Sequence, residues 1–243
     1  MKRLISITIS VVILSIIYSS INLQGLAEIF QDCDPFWMPV SLGMVIPITM
    51  FTAWRLQQLM PHGTSLGFGE ANRLILAASV LNMVLPSKMG DIAKAYLMRE
   101  RGHLNGSLSF SLVVFEKSCD LLSLLMWCAF GLLLYPKKDL LFWTMTVAVA
   151  TGLVVGLLIL GSGRFTDFFF RMARKLTPTK IRDKLKKLQM SWREMHNYFW
   201  SDKRQLLKIS ATSLFIWFLH LLQIWFFILA LNNWVPFLSS LAL

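Results

Sequence analysis

Several apolar runs in this sequence are as long as a lipid bilayer is thick, and no other feature restricts the fold as much. The longest, 107–135, would form an α-helix of about 43 Å, against a hydrocarbon core of about 30 Å. Charged residues make up only 15% of the chain, whereas soluble domains have about 25%. The runs therefore predict an all-α, polytopic membrane protein with one domain over 1–243.

Five of the apolar runs are long enough to cross the bilayer, and one is too short. The short run, 74–85, covers roughly 18 Å as a helix and has basic residues on both flanks, which predicts a re-entrant segment with both ends on one side. Residues 234–243 resemble the start of a further span that is cut short. The predicted full spans are 4–23, 37–55, 107–135, 140–161 and 209–231.

The basic residues are distributed unevenly between the two sides of the predicted membrane. Thirteen of the 24 lie in 164–208, on the same side as Lys2, Arg3 and both flanks of 74–85. We expect the protein in the inner or plasma membrane of the cell. The positive-inside rule then predicts that the N-terminus and 164–208 face the cytoplasm. The net charge of +11 thus suits anionic lipid head groups, and we do not expect nucleic acid as a partner.

The basic segment 164–208 contains a predicted amphipathic helix, which starts near Thr177 and Pro178. Its apolar residues recur at steps of three and four, so that they form one stripe. Two interpretations are open: the stripe lies on the inner leaflet of the membrane, or it packs on the protein's own helices. The stripe comprises Ile181, Leu185, Leu188, Trp192, Met195 and Phe199.

Three charged residues, Glu116, Lys117 and Asp120, lie inside the longest apolar run. A charge at the bilayer centre costs about 2.5–3.5 kcal/mol on insertion scales, so these side chains must face the protein interior or a hydrated cavity. Two acids and one base leave a negative charge that needs a partner, for which Arg73 and Lys94 are candidates. The alternative to a functional site is a set of buried ion pairs that only hold the helices together.

The residues after the short run form a second candidate site, because Pro and Gly break the helix there. Broken backbone at membrane depth is stable only where it lines protein or water. With the nearby lysines it could hold an anionic head group, although an ordinary surface turn would have the same spacing. The residues concerned are Asn82, Pro86, Lys88, Gly90, Asp91 and Lys94.

Other polar residues suggest no chemistry. His220 and Gln223 lie one turn apart, which favours an interhelical hydrogen bond over a proton relay. The three cysteines have no metal-ligand spacing, and we expect neither a metal nor another cofactor. A nucleotide-binding loop and a Ser/His/Asp arrangement are both missing from the sequence, so a non-enzymatic function is favoured.

The stretch PSKMGDIAK at 86–94, followed by EKSCD at 116–120, resembles the flippase-like membrane domain family, which includes the transmembrane region of lysylphosphatidylglycerol synthase. The family's pattern is Pro-x-x-x-Gly-acid with a following basic residue, and then Glu-Arg-x-x-Asp in the next helix. The pair Trp54-Arg55 also fits. The sequence departs from this pattern in two ways. Lys94 and Lys117 stand where the family commonly has Arg. The family also usually continues into a second re-entrant motif after the position of Leu243, which suggests that this sequence is a fragment of a longer protein.

The resemblance implies that the protein binds and flips an anionic or polyprenyl-linked lipid. Alternatives are the membrane part of a lipid-modifying transferase, for aminoacyl-phospholipid or lipid-linked glycosyl transfer, and a scaffold for such an enzyme. A synthase or glycosyltransferase would then be a partner. The substrate-binding positions would be Asn82, Pro86, Lys88, Gly90, Asp91, Lys94, Glu116, Lys117 and Asp120.

Overall fold

The computed structural model describes residues 32–61, 64, 66–84, 89–101, 104–176 and 179–241, and every regular element among them is an α-helix. The predicted first span, 4–23, lies outside these residues, as do Pro86 and Lys88. In chain order the helices are α1 Trp37–Gly43, α2 Val45–Leu59, α3 Phe68–Val84, α4 Gly90–Glu100, α5 Gly106–Leu134, α6 Leu140–Gly161, α7 Gly163–Leu176, α8 Thr179–Ser201, α9 Lys203–Ala230 and α10 Phe237–Leu241.

Four helical segments in the described part of the chain are long and apolar enough to span a membrane: α1 with α2, α5, α6 and α9. They coincide with four of the five predicted spans, so the prediction of an all-α polytopic protein is confirmed. Two boundaries differ from prediction: α2 continues past residue 55, and α9 begins before residue 209. The early start of α9 follows from Asp202, whose carboxylate accepts hydrogen bonds from the Arg204 and Gln205 N–H groups.

Helix α5 lies at the centre of the fold and contacts α4, α6, α8, α9 and α10. Asn105 begins it by accepting a hydrogen bond from the Leu108 N–H at 2.8 Å. Phe115 on α5 stacks on Phe199 of α8, with the ring centroids 4.5 Å apart. With five helices packed on α5, four of its polar residues are buried in the protein: Ser109, Ser111, Glu116 and Ser123.

Helix α8 carries the predicted apolar stripe, and the structure distinguishes between its two interpretations. Trp192, Met195 and Phe199 are buried in the core of the protein. This half of the stripe is therefore packed on the protein's own helices, and of the two interpretations that the sequence left open, the second holds for these three residues. The physical reason is that α5 offers an apolar face at the same level, including Phe115.

Helices α3 and α4 form an antiparallel hairpin whose connecting residues, 85–88, are outside the described part. Helix α3 starts earlier than the predicted run 74–85, because Glu70 is favourable in its first turn. At the open end, Arg101 Nη1 lies 3.0 Å from Glu70 Oε1. The hairpin therefore returns the chain to the side from which it came, while its depth in a bilayer stays a prediction.

Candidate functional site

A polar cavity of about 250 Å³ lies between α2, α3, α4, α5 and α9. Its walls combine apolar residues with an unusual number of charged side chains for the interior of a membrane domain. Among the described residues, three of these are basic and three acidic, so this part of the wall is balanced in formal charge. They are Arg55, Lys94 and Lys117, and Asp91, Glu116 and Asp120.

Glu116 is the centre of the charged network. Its carboxylate accepts hydrogen bonds from Arg55 Nη2 at 2.9 Å and from Lys94 Nζ at 2.5 Å. All three side chains are at most 2% exposed. A buried carboxylate with two cationic donors is stable only because both are present, since an unpaired buried charge costs several kcal/mol.

Arg55 joins Glu116 to Asp120. The guanidinium donates to both carboxylate oxygens of Asp120 and also to Ser213 Oγ at 3.0 Å. Its planar fork allows one side chain to bond two carboxylates at once, a geometry that lysine does not offer. Arg55 thereby ties α2, α5 and α9 together at the cavity.

Lys117 differs from the other two cations in its exposure and in its contacts. Its side chain is 48% exposed, and its ammonium lies 3.4 Å from Asp91 Oδ1 and 3.6 Å from Asp120 Oδ2. These distances are longer than those of charge-assisted hydrogen bonds, which are about 2.7–2.9 Å. Lys117 is thus the cation of the network that a ligand can reach with the least rearrangement.

The cationic partners of Glu116 and Asp120 only partly match those expected from the sequence. Lys94 was one of the two candidates and does pair with Glu116, whereas the other, Arg73, is exposed on α3. The principal partner, Arg55, was missed because it appeared to mark the end of a span. The apolar residues after Arg55 could have identified it. Leu56 and Leu59 are fully buried, so the span continues past Arg55 and places it inside the protein.

The hairpin brings Asn82 and Asp91 to the cavity, and one glycine permits its tight packing. A Cβ on Gly90 would lie 2.1 Å from the carbonyl oxygen of Ala78, which no real contact allows. The Gly90 N–H donates to Asn82 Oδ1 at 2.8 Å. Gly90 and Asn82 therefore fix the position of α4, and with it the positions of Asp91 and Lys94.

The structure brings six of the nine predicted site residues to one cavity wall and places Gly90 beside it. Their assignment to substrate binding stays a prediction. His220 also lines the cavity, which the sequence did not indicate, whereas the expected interhelical hydrogen bond is made by Gln223 to the Ser41 carbonyl at 3.0 Å. In the described ranges, no three His, Cys, Asp or Glu side chains are grouped so that they could hold a metal ion. The six residues are Asn82, Asp91, Lys94, Glu116, Lys117 and Asp120.

Comparison with known proteins gives one match. The model of a family described as "Lysylphosphatidylglycerol synthase TM region" matches residues 3–243, almost the entire chain. No curated protein and no solved structure matches.

Proposed function

Because the chain belongs to the family of lysylphosphatidylglycerol synthase transmembrane regions, we propose that its charged cavity binds the head group of an anionic or polyprenyl-linked lipid and passes it between leaflets. The family connects the protein to lipid modification or transport in membranes. The observation that carries the finer proposal is the polar cavity, which lies between three membrane-spanning helices and the α3–α4 hairpin and in which Lys117 is the accessible cation among the described residues.

The cations of the cavity would have different tasks. Arg55 and Lys94 are buried and bonded to Glu116, so they hold the wall together rather than meet a ligand. Lys117 is half-exposed and only loosely paired, and a phosphate could replace its two carboxylate partners at little cost. This division of tasks changes the expectation that Lys94 itself holds the phosphate.

The acids of the cavity would act on the rest of the head group. When Lys117 turns to a phosphate, Asp91 and Asp120 lose one cationic neighbour. A head group that carries an amine as well as a phosphate could restore the balance, since both of its charges would then be paired. The cavity of about 250 Å³ is below the usual range for drug-sized ligands, about 300–1,000 Å³, so it suits a head group whose tails stay in the bilayer.

Native mass spectrometry of the purified full chain, titrated with phosphatidylglycerol or phosphatidylcholine, tests the binding step. We expect Lys117→Met to weaken phosphatidylglycerol binding by about tenfold, since one charge-assisted hydrogen bond contributes about 1.5–3 kcal/mol. Lys138→Met removes an exposed lysine in the loop before α6 and is the matched control. Equal affinity of the Lys117 variant, the Lys138 variant and the unmodified protein would count against the proposal.

A second candidate is the membrane part of a lipid-modifying transferase, which the family supports because its description names a synthase. In that case the cavity would present the lipid to a separate catalytic domain. Lipid extracts of cells that express the chain with and without a partner synthase would differ in modified lipid, whereas the scrambling activity of the purified chain would be absent.

A further inference from the structure

Helix α7, Gly163–Leu176, has an exposed apolar face that the cavity does not use. Phe168, Phe169 and Met172 are each more than half exposed. At about 100° of rotation per residue they fall within an arc of about 100°. Among the residues that the structure describes, no element covers these three large side chains, and they form an apolar patch that needs an occupant.

The rest of α7 is divided into two further faces. Thr166 and Phe170 face the protein: Thr166 Oγ1 donates to the Ile159 carbonyl at 2.8 Å, and Phe170 packs against the core. The other side is basic, with Arg171 and Lys175 exposed. An apolar arc beside a basic arc is the pattern of helices that lie at the surface of anionic membranes.

The position of α7 in the fold places this patch beside the bilayer. Helix α6 has 22 residues and is about 33 Å long, close to the thickness of the hydrocarbon core, and α7 begins two residues after it ends. Phe168 and Phe169 are five and six residues into α7. At about 1.5 Å per residue they lie within about 10 Å of the start of α7, a distance comparable to the depth at which interfacial helices lie in a membrane.

An ion-pair latch holds α7 in one orientation. Asp167 accepts hydrogen bonds from Gln189 Nε2 at 2.6 Å and from Arg193 Nε at 2.8 Å, both on α8. Helix α8 is in turn anchored in the core through Trp192 and Met195. The exposed face of α7 is therefore presented rigidly, and cannot turn inward to bury its aromatic residues.

We propose that α7 docks into the leaflet at the end of α6, with Phe168, Phe169 and Met172 among the lipids and its basic side on anionic head groups. On α8, for which the sequence left this role open, Trp192, Met195 and Phe199 are buried in the core. The charge of the exposed face selects an anionic leaflet over a second copy of this chain, since two copies of a basic surface would repel each other.

Depth-dependent fluorescence quenching of the full chain in nanodiscs tests the docking. A variant with Cys33, Cys119 and Cys128 replaced by Ala carries one label at Phe168→Cys or, as the matched control, at Met190→Cys. Met190 is equally apolar and exposed, but lies on α8. We expect nitroxide-bearing lipids to quench the label at 168 about twofold or more above the label at 190, with stronger quenching in phosphatidylglycerol than in phosphatidylcholine.

The charges are tested separately. The triple variant Arg164→Gln/Arg171→Gln/Lys175→Gln should lose the difference between the two lipids at position 168, since the apolar contacts alone do not depend on head-group charge. Equal quenching at 168 and 190 would overturn the proposal, and so would excimer formation between pyrene labels at 168, which would identify a second copy as the occupant. If the cysteine-free chain does not fold, hydrogen exchange of the unmodified protein answers the same question: slower exchange of α7 amides in anionic nanodiscs supports docking, and no difference refutes it.

Discussion

Replacing Glu116 by leucine removes the carboxylate that Arg55 and Lys94 share, and its cost can be worked out from their burial. Arg55 retains Asp120, but no other ion pair of Lys94 is found among the described residues, and its side chain is only 2% exposed. Breaking a buried ion pair and leaving one charge unpaired costs about 3–5 kcal/mol. We therefore expect Glu116→Leu to lower the free energy of unfolding by about that amount.

A double-mutant cycle separates this cause from a simple packing defect. Lys94→Met alone leaves Glu116 bonded to Arg55, so it should cost less, about 1–3 kcal/mol. In Glu116→Leu/Lys94→Met no unpaired charge remains from this pair, and two apolar side chains of similar volume replace it. The double variant should recover part of the loss of Glu116→Leu, because a coupling of about 2–3 kcal/mol outweighs the added cost of Lys94→Met.

The measurement is reversible unfolding in mixed micelles of mild detergent and sodium dodecyl sulfate, followed by tryptophan fluorescence. The double variant should unfold at a higher dodecyl sulfate fraction than Glu116→Leu. Strict additivity of the two single losses would refute the reasoning, because it would mean that Lys94 and Glu116 do not stabilise each other in the folded protein.

Gly90→Ala should destabilise the α3–α4 hairpin by several kcal/mol, seen as faster hydrogen exchange in α4, because its Cβ would collide with the Ala78 carbonyl. Asn82→Ala should cost about 1 kcal/mol in the free energy of unfolding, since the Gly90 N–H loses its acceptor. The hydrogen bond from Arg193 lowers the pKa of Asp167 below its usual value, so the latch contributes stability above the unfolded pKa of about 3.9. That stability is lost as the pH falls through the depressed pKa, so the protection of α7 amides from hydrogen exchange, taken relative to their intrinsic rates, should fall below about pH 4.

The predictions for Gly90 and for Asp167 each have a control in the same chain. Gly69→Ala adds a Cβ that meets nothing within 4 Å, so it should not destabilise the hairpin. A fall in stability for Gly69→Ala equal to that for Gly90→Ala would contradict the collision, because a clash-free replacement of a helical glycine by alanine lowers the entropy of the unfolded chain and should not destabilise the protein. Asp167→Asn should abolish the acid-dependent loss of amide protection in α7. If the loss persists in this variant, other carboxylates are responsible for it.

The spanning helices could be predicted from the sequence because the period and length of apolar runs are local properties. The prediction that Glu116 and Asp120 face inward followed from the cost of charge in lipid, and Glu116 is indeed buried. Their main partner could not be found in this way. Arg55 is 61 residues from Glu116 in the chain, and an arginine near the end of a span usually anchors to the interface.

The interpretation of the basic segment shows a second limit of sequence patterns. The stripes of α7 and α8 are both amphipathic, and periodicity indicates that a face is apolar without indicating what covers it. Packing against Phe115 buries the stripe of α8, whereas Phe168 on α7 remains exposed. Only the tertiary arrangement distinguishes a core helix from a surface helix here.

Lipid scrambling in proteoliposomes tests the proposed function of the charged cavity most directly. The full chain is reconstituted with a fluorescent anionic lipid, and the fraction that an impermeant reductant can bleach is followed over time. We expect scrambling by the unmodified protein and by Lys138→Met, and a loss of about tenfold or more in Lys117→Met and Asp120→Asn. Unchanged rates in the two cavity variants, with the protein folded and inserted, would contradict a lipid path through the cavity.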